Sequence, residues 1–211
     1  NGRAKFGIFG DGKELAQAAL AHYFKAGDWR SGYYRDQTLI FALGNLSLTQ
    51  YFAQLYADSS KTREPSSSGR QMNNHFSSHF IDENGQWMKQ TNLKNISSDI
   101  SPTGGQMARL LGLAYASKLY REETKLVDWQ GAKNFSLTGN EIAFGTIGNA
   151  STSEGIFWES LNAAGVLQVP LLLCIWDDDF GISVPNEYQS TKGSIWPLLQ
   201  GFQTENQKLG I

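Results

Sequence analysis

Two short apolar runs, residues 142–147 (IAFGTI) and 171–176 (LLLCIW), constrain this chain more than any other feature. Between them, Ser151 and Glu154 stand at capping-box spacing, helical periodicity runs to about residue 166, and Pro170 precedes the second run. A helix of about 14 residues covers about 21 Å, and a strand of six covers about 20 Å. The helix can therefore return the chain to the starting edge of a sheet, so the spacing predicts a right-handed βαβ unit with parallel strands. In that unit the loops after residues 147 and 176 share the carboxyl edge of the sheet, where open α/β sheets bind ligands.

The second run ends in Asp177, Asp178 and Asp179, and Asn149 stands 29 positions before the middle one. The shared edge makes them neighbours. The first loop also presents a helix N-terminus, whose free N–H groups and dipole favour phosphate. Phosphate facing carboxylate is repulsive unless a cation lies between, and Mg²⁺ commonly takes one or two protein ligands plus diphosphate oxygens and water. The pattern predicts a metal–diphosphate cradle. The alternative is a solvated acidic turn beside an ordinary helix cap.

Charge and hydropathy exclude other classes. The 211 residues carry 18 basic and 20 acidic side chains, so no basic face advertises nucleic acid or an anionic membrane. Apolar stretches fall well short of the roughly 20 residues a membrane helix needs. No signal-like segment opens the chain, and a cytoplasmic location is expected. The single cysteine, Cys174, lies inside the second apolar run and is expected to be a packed core thiol. Helical patterns cover 13–26 (stopped by Gly27), 37–56 and 104–120, with a polar, aromatic turn over 27–36. Residues 58–100 are rich in Ser, Asn and Gly, which predicts a long polar loop region, mobile when no partner covers it. The missing initial methionine and the abrupt end at Ile211 read as cuts in a longer protein.

Gly148-Asn149-Ala150, then 26 residues, then Asp177-Asp178 resembles the Gly-Asp-Gly…Asn-Asn signature of thiamine diphosphate enzymes. Residues 148–183 together with GYYRDQTL (32–39), GRQMNNHF (69–76) and SSDISPTGGQMARLLGLAYASK (97–118) resemble a narrower family. It is the alpha-subunit type of the decarboxylating dehydrogenase component of 2-oxo acid dehydrogenase complexes, nearest its branched-chain (2-oxoisovalerate) branch. Gly10-Asp11-Gly12 is set aside, because Leu39-Ile40, 26 residues on, offers no ligands.

The resemblance implies an α/β, three-layer parallel-sheet fold, with residues 1–211 an incomplete diphosphate-binding domain. It implies thiamine diphosphate and Mg²⁺ as cofactors. Tyr34 and Arg35 would contact the diphosphate, pairing of Arg35 with Asp36 being the alternative. Ser101 and Thr103 would line the thiazolium and substrate side, or merely form the loop and cap before the helix at 104. Gly148, Ala150 and Ser151 would shape the diphosphate loop. Asn149, Asp178 and the Phe180 carbonyl would ligate the metal. His75 would lie in a mobile loop near the substrate channel as the candidate catalytic residue; the alternative is an exposed loop histidine with no role.

The departures are specific. The family carries an acid at position 149 and an amide at 178, the reverse of this chain, so total ligand charge is conserved. Ala150 replaces the second glycine, and Asp179 replaces a glycine after the pair. Ile100 and Gly105 stand where a potassium site would need hydroxyls, which leaves that ion open. Ile8 aligns with a histidine of pyruvate-specific relatives and suits a branched side chain, plain core being the alternative. The proton-handling glutamate and a downstream histidine loop are missing, so this chain alone is expected to be inactive. The implied partners are a beta-type (pyrimidine) subunit or fused domain in an α2β2 or fused-dimer assembly, a lipoyl-bearing acyltransferase, and a 2-oxo acid substrate. Three rival readings are a pyruvate dehydrogenase, a non-catalytic homologue serving as an assembly surface, and a haloacid-dehalogenase-like phosphotransferase with Asp177 as nucleophile and Asp179 as acid.

Overall fold

The computed structural model describes residues 9–128 and 131–203. The substrate-side candidate Ile8 lies outside the described residues. The chain is α/β: four parallel strands, β1 (Trp29–Ser31), β2 (Asn95–Ile96), β3 (Ala143–Gly148) and β4 (Leu171–Trp176), pair in the order β2-β1-β3-β4. Helices α1 (Glu14–Tyr23), α2 (Gln37–Leu43), α3 (Leu48–Leu55), α4 (Gln106–Glu122), α5 (Thr124–Val127) and α6 (Gly155–Leu167) surround the sheet. The antiparallel ribbon β5 (Phe180–Gly181)–β6 (Val184–Pro185) and the short α7 (Trp196–Leu199) follow β4. Among the described residues no helix is long and apolar enough to cross a membrane.

Strand alternation sorts the core into two clusters on opposite faces of β3. Phe144 packs with Leu20, Phe24, Leu39, Ile40 and Trp176 against α1 and α2. Ala143 and Ile147 pack with Met107, Leu110 and Phe157 against α4 and α6. On that second face, Gly145 lets the Leu110 side chain lie directly on the strand, where a Cβ would collide with it. The β3–β4 pairing runs in register from Ala143↔Leu171 to Gly148↔Trp176, so both strands end at one level and their following loops meet, as the spacing predicts.

Two local expectations change, and one strand sits at the margin. The helical pattern over 37–56 is two helices: Gly44 adopts φ 80°, closing α2, and a Ser47/Gln50 capping box starts α3. The Ser151/Glu154 box does not form; residues 150–153 make a 3₁₀ turn, and the Glu154 N–H bonds the Ser151 carbonyl instead of its hydroxyl. Strand β4 stands at the end of the strand order, and of its residues only Trp176 is buried.

Residues 58–100 contain edge strand β2 and one 3₁₀ turn, Gln90–Asn92. Polar groups hold this segment where apolar ones are scarce. Buried Glu64 accepts from the Ser66, Ser67 and Gly69 N–H groups and from the Ser67 hydroxyl. The Asn95 amide donates to the Gln90 carbonyl at 2.9 Å, and Asp99 accepts from the Phe76 N–H at 3.0 Å.

Candidate functional site

The Tyr33-Tyr34-Arg35 segment leaves β1 and is fixed from behind by buried charge. Arg30 is fully buried; it donates to Asp36 through Nε (2.9 Å) and Nη2 (2.6 Å) and to Asp99 through Nη1 (2.8 Å). Asp36 also accepts from the Trp176 indole (2.9 Å) at the end of β4 and from the Thr146 hydroxyl on β3. One carboxylate thus ties β1, β3, β4 and the loop that carries Tyr34 and Arg35. Burial opposes the charge on Arg30, but Asp99 and Asp36 beside it hold its pKa above the ordinary value. Because Asp36 is spent on Arg30, Arg35 turns elsewhere: its guanidinium donates to the Phe9 carbonyl (3.3 Å) and lies 5.3 Å from the Tyr34 ring centroid.

In front of this frame, at the carboxyl edge of the sheet, lies a pocket of about 320 Å³. Tyr34, Arg35, Thr103, Gly148, Asn149, Ala150, Ser151, Asp178 and Phe180 all line it. The three aspartates divide their work. Asp177 Oδ1 accepts from the Asp179 N–H (3.0 Å) and from Asn186 Nδ2 (3.0 Å), closing the turn. Asp178 points into the pocket region and takes Lys13 Nζ at 2.9 Å. Partial burial alone would raise the Asp178 pKa, but the Lys13 hydrogen bond and charge, the Phe180 N–H and the Arg35 charge hold it below the usual carboxylate range. Asp179 supplies the left-handed corner, φ 64°. Asp is among the few non-glycine residues that visit this region readily, which accounts for an Asp where a glycine would be ordinary.

Asn149 is buried and oriented by the same turn. Its Nδ2 donates to Asn186 Oδ1 at 2.7 Å, while its side-chain oxygen accepts no hydrogen bond among the described residues. The Asn149 N–H goes to the Trp176 carbonyl and the Thr152 N–H to the Asn149 carbonyl, leaving the Ala150 and Ser151 N–H groups at the start of the 3₁₀ turn without partners among the described residues. The anion-seeking end is therefore this turn, ahead of α6. The Ala150 methyl is accommodated because glycine faces it: a Cβ on Gly181 would lie 2.6 Å from it.

These residues fit a metal-bound diphosphate on three counts. An amide oxygen, a carboxylate and backbone N–H groups supply the hard donors and anion donors such a group needs. The Tyr33 hydroxyl lines the pocket, buried and without a hydrogen-bond partner among the described residues, a state polar groups rarely keep. Gly148 leaves open the space beneath it, where a Cβ would sit 3.2 Å from that hydroxyl. Among the described residues no group of three or more His, Cys, Asp or Glu side chains gathers, so a metal here would depend on ligand oxygens for most of its shell.

Ser101 and Thr103 do not share a site. Thr103 lines the pocket, whereas Ser101 faces a second cavity with His75, which lies 3.0 Å from its hydroxyl through Nε2. His75 is buried, not exposed, and its Nδ1 lies 3.2 Å from the Asn73 carbonyl. A carbonyl only accepts, so in the neutral ring Nδ1 carries the proton and Nε2 accepts from Ser101. Ile100 Cδ1 fills the space beside Gly105, so these two positions present carbon where an ion would need oxygen. Asp177, committed to the turn, does not line the pocket, which removes the geometry a phosphotransferase nucleophile needs. Cys174 packs against the core, and burial with Asp36 nearby pushes its thiol up to about 11.

Lys13, Tyr33 and Asn186 are the site residues that sequence reasoning missed. Lys13 follows the Gly10-Asp11-Gly12 motif, and Tyr33 adjoins a recognised pair; Asn186 carries no local signal.

The sequence matches the dehydrogenase E1 component family over residues 1–203. It is 27% identical over 190 residues to the 2-oxoisovalerate dehydrogenase subunit alpha of Bacillus subtilis (strain 168), covering 90% of this chain and 47% of that protein. It is 26% identical over 175 residues to the pyruvate dehydrogenase E1 component subunit alpha of Acholeplasma laidlawii, covering 82% of this chain and 38% of that protein. The chain therefore spans about half or less of the length of these curated relatives.

Proposed function

The chain belongs to the dehydrogenase E1 component family, and from that premise we propose that it is the diphosphate-binding part of a thiamine diphosphate-dependent 2-oxo acid dehydrogenase. The observation that carries this reading is the convergence of Tyr34, Arg35, Asn149 and Asp178 on one pocket at the carboxyl edge of the sheet. Asn149 and Asp178, with the Phe180 carbonyl, would hold Mg²⁺. Arg35 and the N–H groups of Ala150 and Ser151 would hold the diphosphate oxygens as donors. Tyr33 would donate to an oxygen above Gly148, satisfying its buried hydroxyl. Thiamine diphosphate, when bound, supplies the nucleophilic carbon and the electron sink for decarboxylation. Thr103 lines the same pocket and would face the substrate, with the His75–Ser101 hydrogen bond two residues earlier in the same loop.

The substrate class is a 2-oxo acid, and we assign the branched-chain members. The relative named for 2-oxoisovalerate matches more of this chain than the one named for pyruvate, which remains the competing substrate. The acyl group passes to the lipoyl group of an acyltransferase, and a beta-type partner supplies the proton-handling groups toward the pyrimidine. The test is calorimetric titration of thiamine diphosphate into the complete enzyme with Mg²⁺, followed by kcat/KM for 2-oxoisovalerate and pyruvate. Saturable cofactor binding and a preference for 2-oxoisovalerate are expected. Lack of cofactor binding sinks the reading in favour of an assembly surface; a preference for pyruvate overturns only the substrate.

A further inference from the structure

The Gly10-Asp11-Gly12 turn has a task of its own: it aims Lys13. The Gly10 N–H donates to Gln37 Oε1 (2.6 Å), and the Arg35 carbonyl packs so closely that a Cβ at residue 10 would strike it. Gly12 adopts φ 82°, and Gln17 on α1 donates to the same Arg35 carbonyl at 2.8 Å. The turn is thereby fastened to the backbone that carries Arg35 into the pocket. Lys13 occupies the N-cap of α1, where the helix dipole disfavours a cation. Its side chain is only 13% exposed, so the ammonium needs an anion close by. It finds Asp178, 165 residues away in sequence.

That contact conflicts with metal binding. Lys13 Nζ occupies Asp178 Oδ2, so a divalent cation taking this carboxylate meets the ammonium's like charge close by and is opposed by it. Arg35 lines the pocket beside this pair, so before any ligand enters two fixed cations face one carboxylate.

We infer that Lys13 is the resident counter-cation of Asp178, that an arriving divalent metal displaces it, and that the freed ammonium then binds the diphosphate. This rests on the thiamine diphosphate reading and deepens it. Metal alone must compete with Lys13 and binds poorly. Diphosphate alone meets Lys13 and Arg35 and binds measurably without metal. Metal and diphosphate together bind cooperatively, because each removes what opposes the other.

The test compares the complete parent enzyme with Lys13→Met, which keeps the apolar stem and removes the charge, and with Lys13→Arg. Mn²⁺ alone is titrated by electron paramagnetic resonance, and thiamine diphosphate by calorimetry in EDTA and in Mg²⁺. Thermal melts should match the parent, since partly exposed ion pairs add little stability. Lys13→Met should bind Mn²⁺ alone about fivefold tighter, and thiamine diphosphate in EDTA about tenfold weaker, than the parent. Lys13→Arg should keep most of the metal-free binding. Lys13→Met behaving as the parent in both titrations overturns the role of Lys13 while the cofactor reading stands. Failure of the parent to take up thiamine diphosphate even with Mg²⁺ overturns both.

Discussion

Two groups of charge lie on either side of one short loop and serve opposite ends. Behind it, Arg30, Asp36 and Asp99 are buried and bonded to one another, to the Trp176 indole and to backbone. In front of it, Arg35 and Asp178 line the pocket and Lys13 reaches Asp178 from α1, each held by few contacts. The contrast teaches how a small sheet edge can be both rigid and receptive. Charge that is fully satisfied behaves as structure, because releasing any member leaves the others buried and unpaired. Charge held by a few replaceable contacts at a pocket's edge can be exchanged for a ligand.

The largest expected effect comes from breaking the buried group. Arg30→Met leaves Asp36 and Asp99 facing each other without a cation and should cost about 3–5 kcal/mol of folding stability. Denaturant melts of the complete enzyme would show it. Burial already raises the Asp99 pKa, against the pull of Arg30 and the Phe76 N–H. Losing Arg30 removes a lowering influence, so the Asp99 pKa rises further in the variant, and the defect should shrink as the pH falls through the variant's pKa toward the parent's. A defect that instead grows on acidification would place the strain elsewhere. The smallest effect sharpens the contrast at the turn. Asp179 sits at φ 64° with its backbone N–H doing the bonding, so Asp179→Gly should change stability by no more than about 0.5 kcal/mol. Asp179→Val, whose branched side chain resists that conformation, should cost about 1–2 kcal/mol in the same melts.

Much of the front of the site was legible in sequence, and almost none of the back. Strand length and helix length fix where 148 and 177 must lie, because rise per residue is a constant of the backbone; in-register β3 and β4 show the result. The Arg30–Asp99 pair spans 69 residues and crosses from β1 to a polar loop, a juxtaposition no local period encodes. The same holds for Lys13 and Asp178. Residues 58–100 read as unanchored because periodicity counts apolar side chains, whereas Glu64 and Asn95 hold that segment by hydrogen bonds. The capping-box spacing at Ser151 misled for another reason: the turn gives its first N–H groups to the pocket, and a side-chain cap would have consumed one.

The central claim is that Asp178 and Asn149 jointly hold a metal against the cofactor diphosphate, one charged and one neutral ligand in exchanged positions. Calorimetric titration of thiamine diphosphate with Mg²⁺ into the complete enzyme, as parent, Asp178→Asn, Asn149→Asp and the double variant, tests it most directly. Asp178→Asn should weaken metal-dependent binding at least tenfold, about 1.4 kcal/mol, and adding Asn149→Asp should recover most of that loss. Unchanged binding by Asp178→Asn, or a double variant worse than either single change, would contradict the account and leave the aspartates as a turn alone.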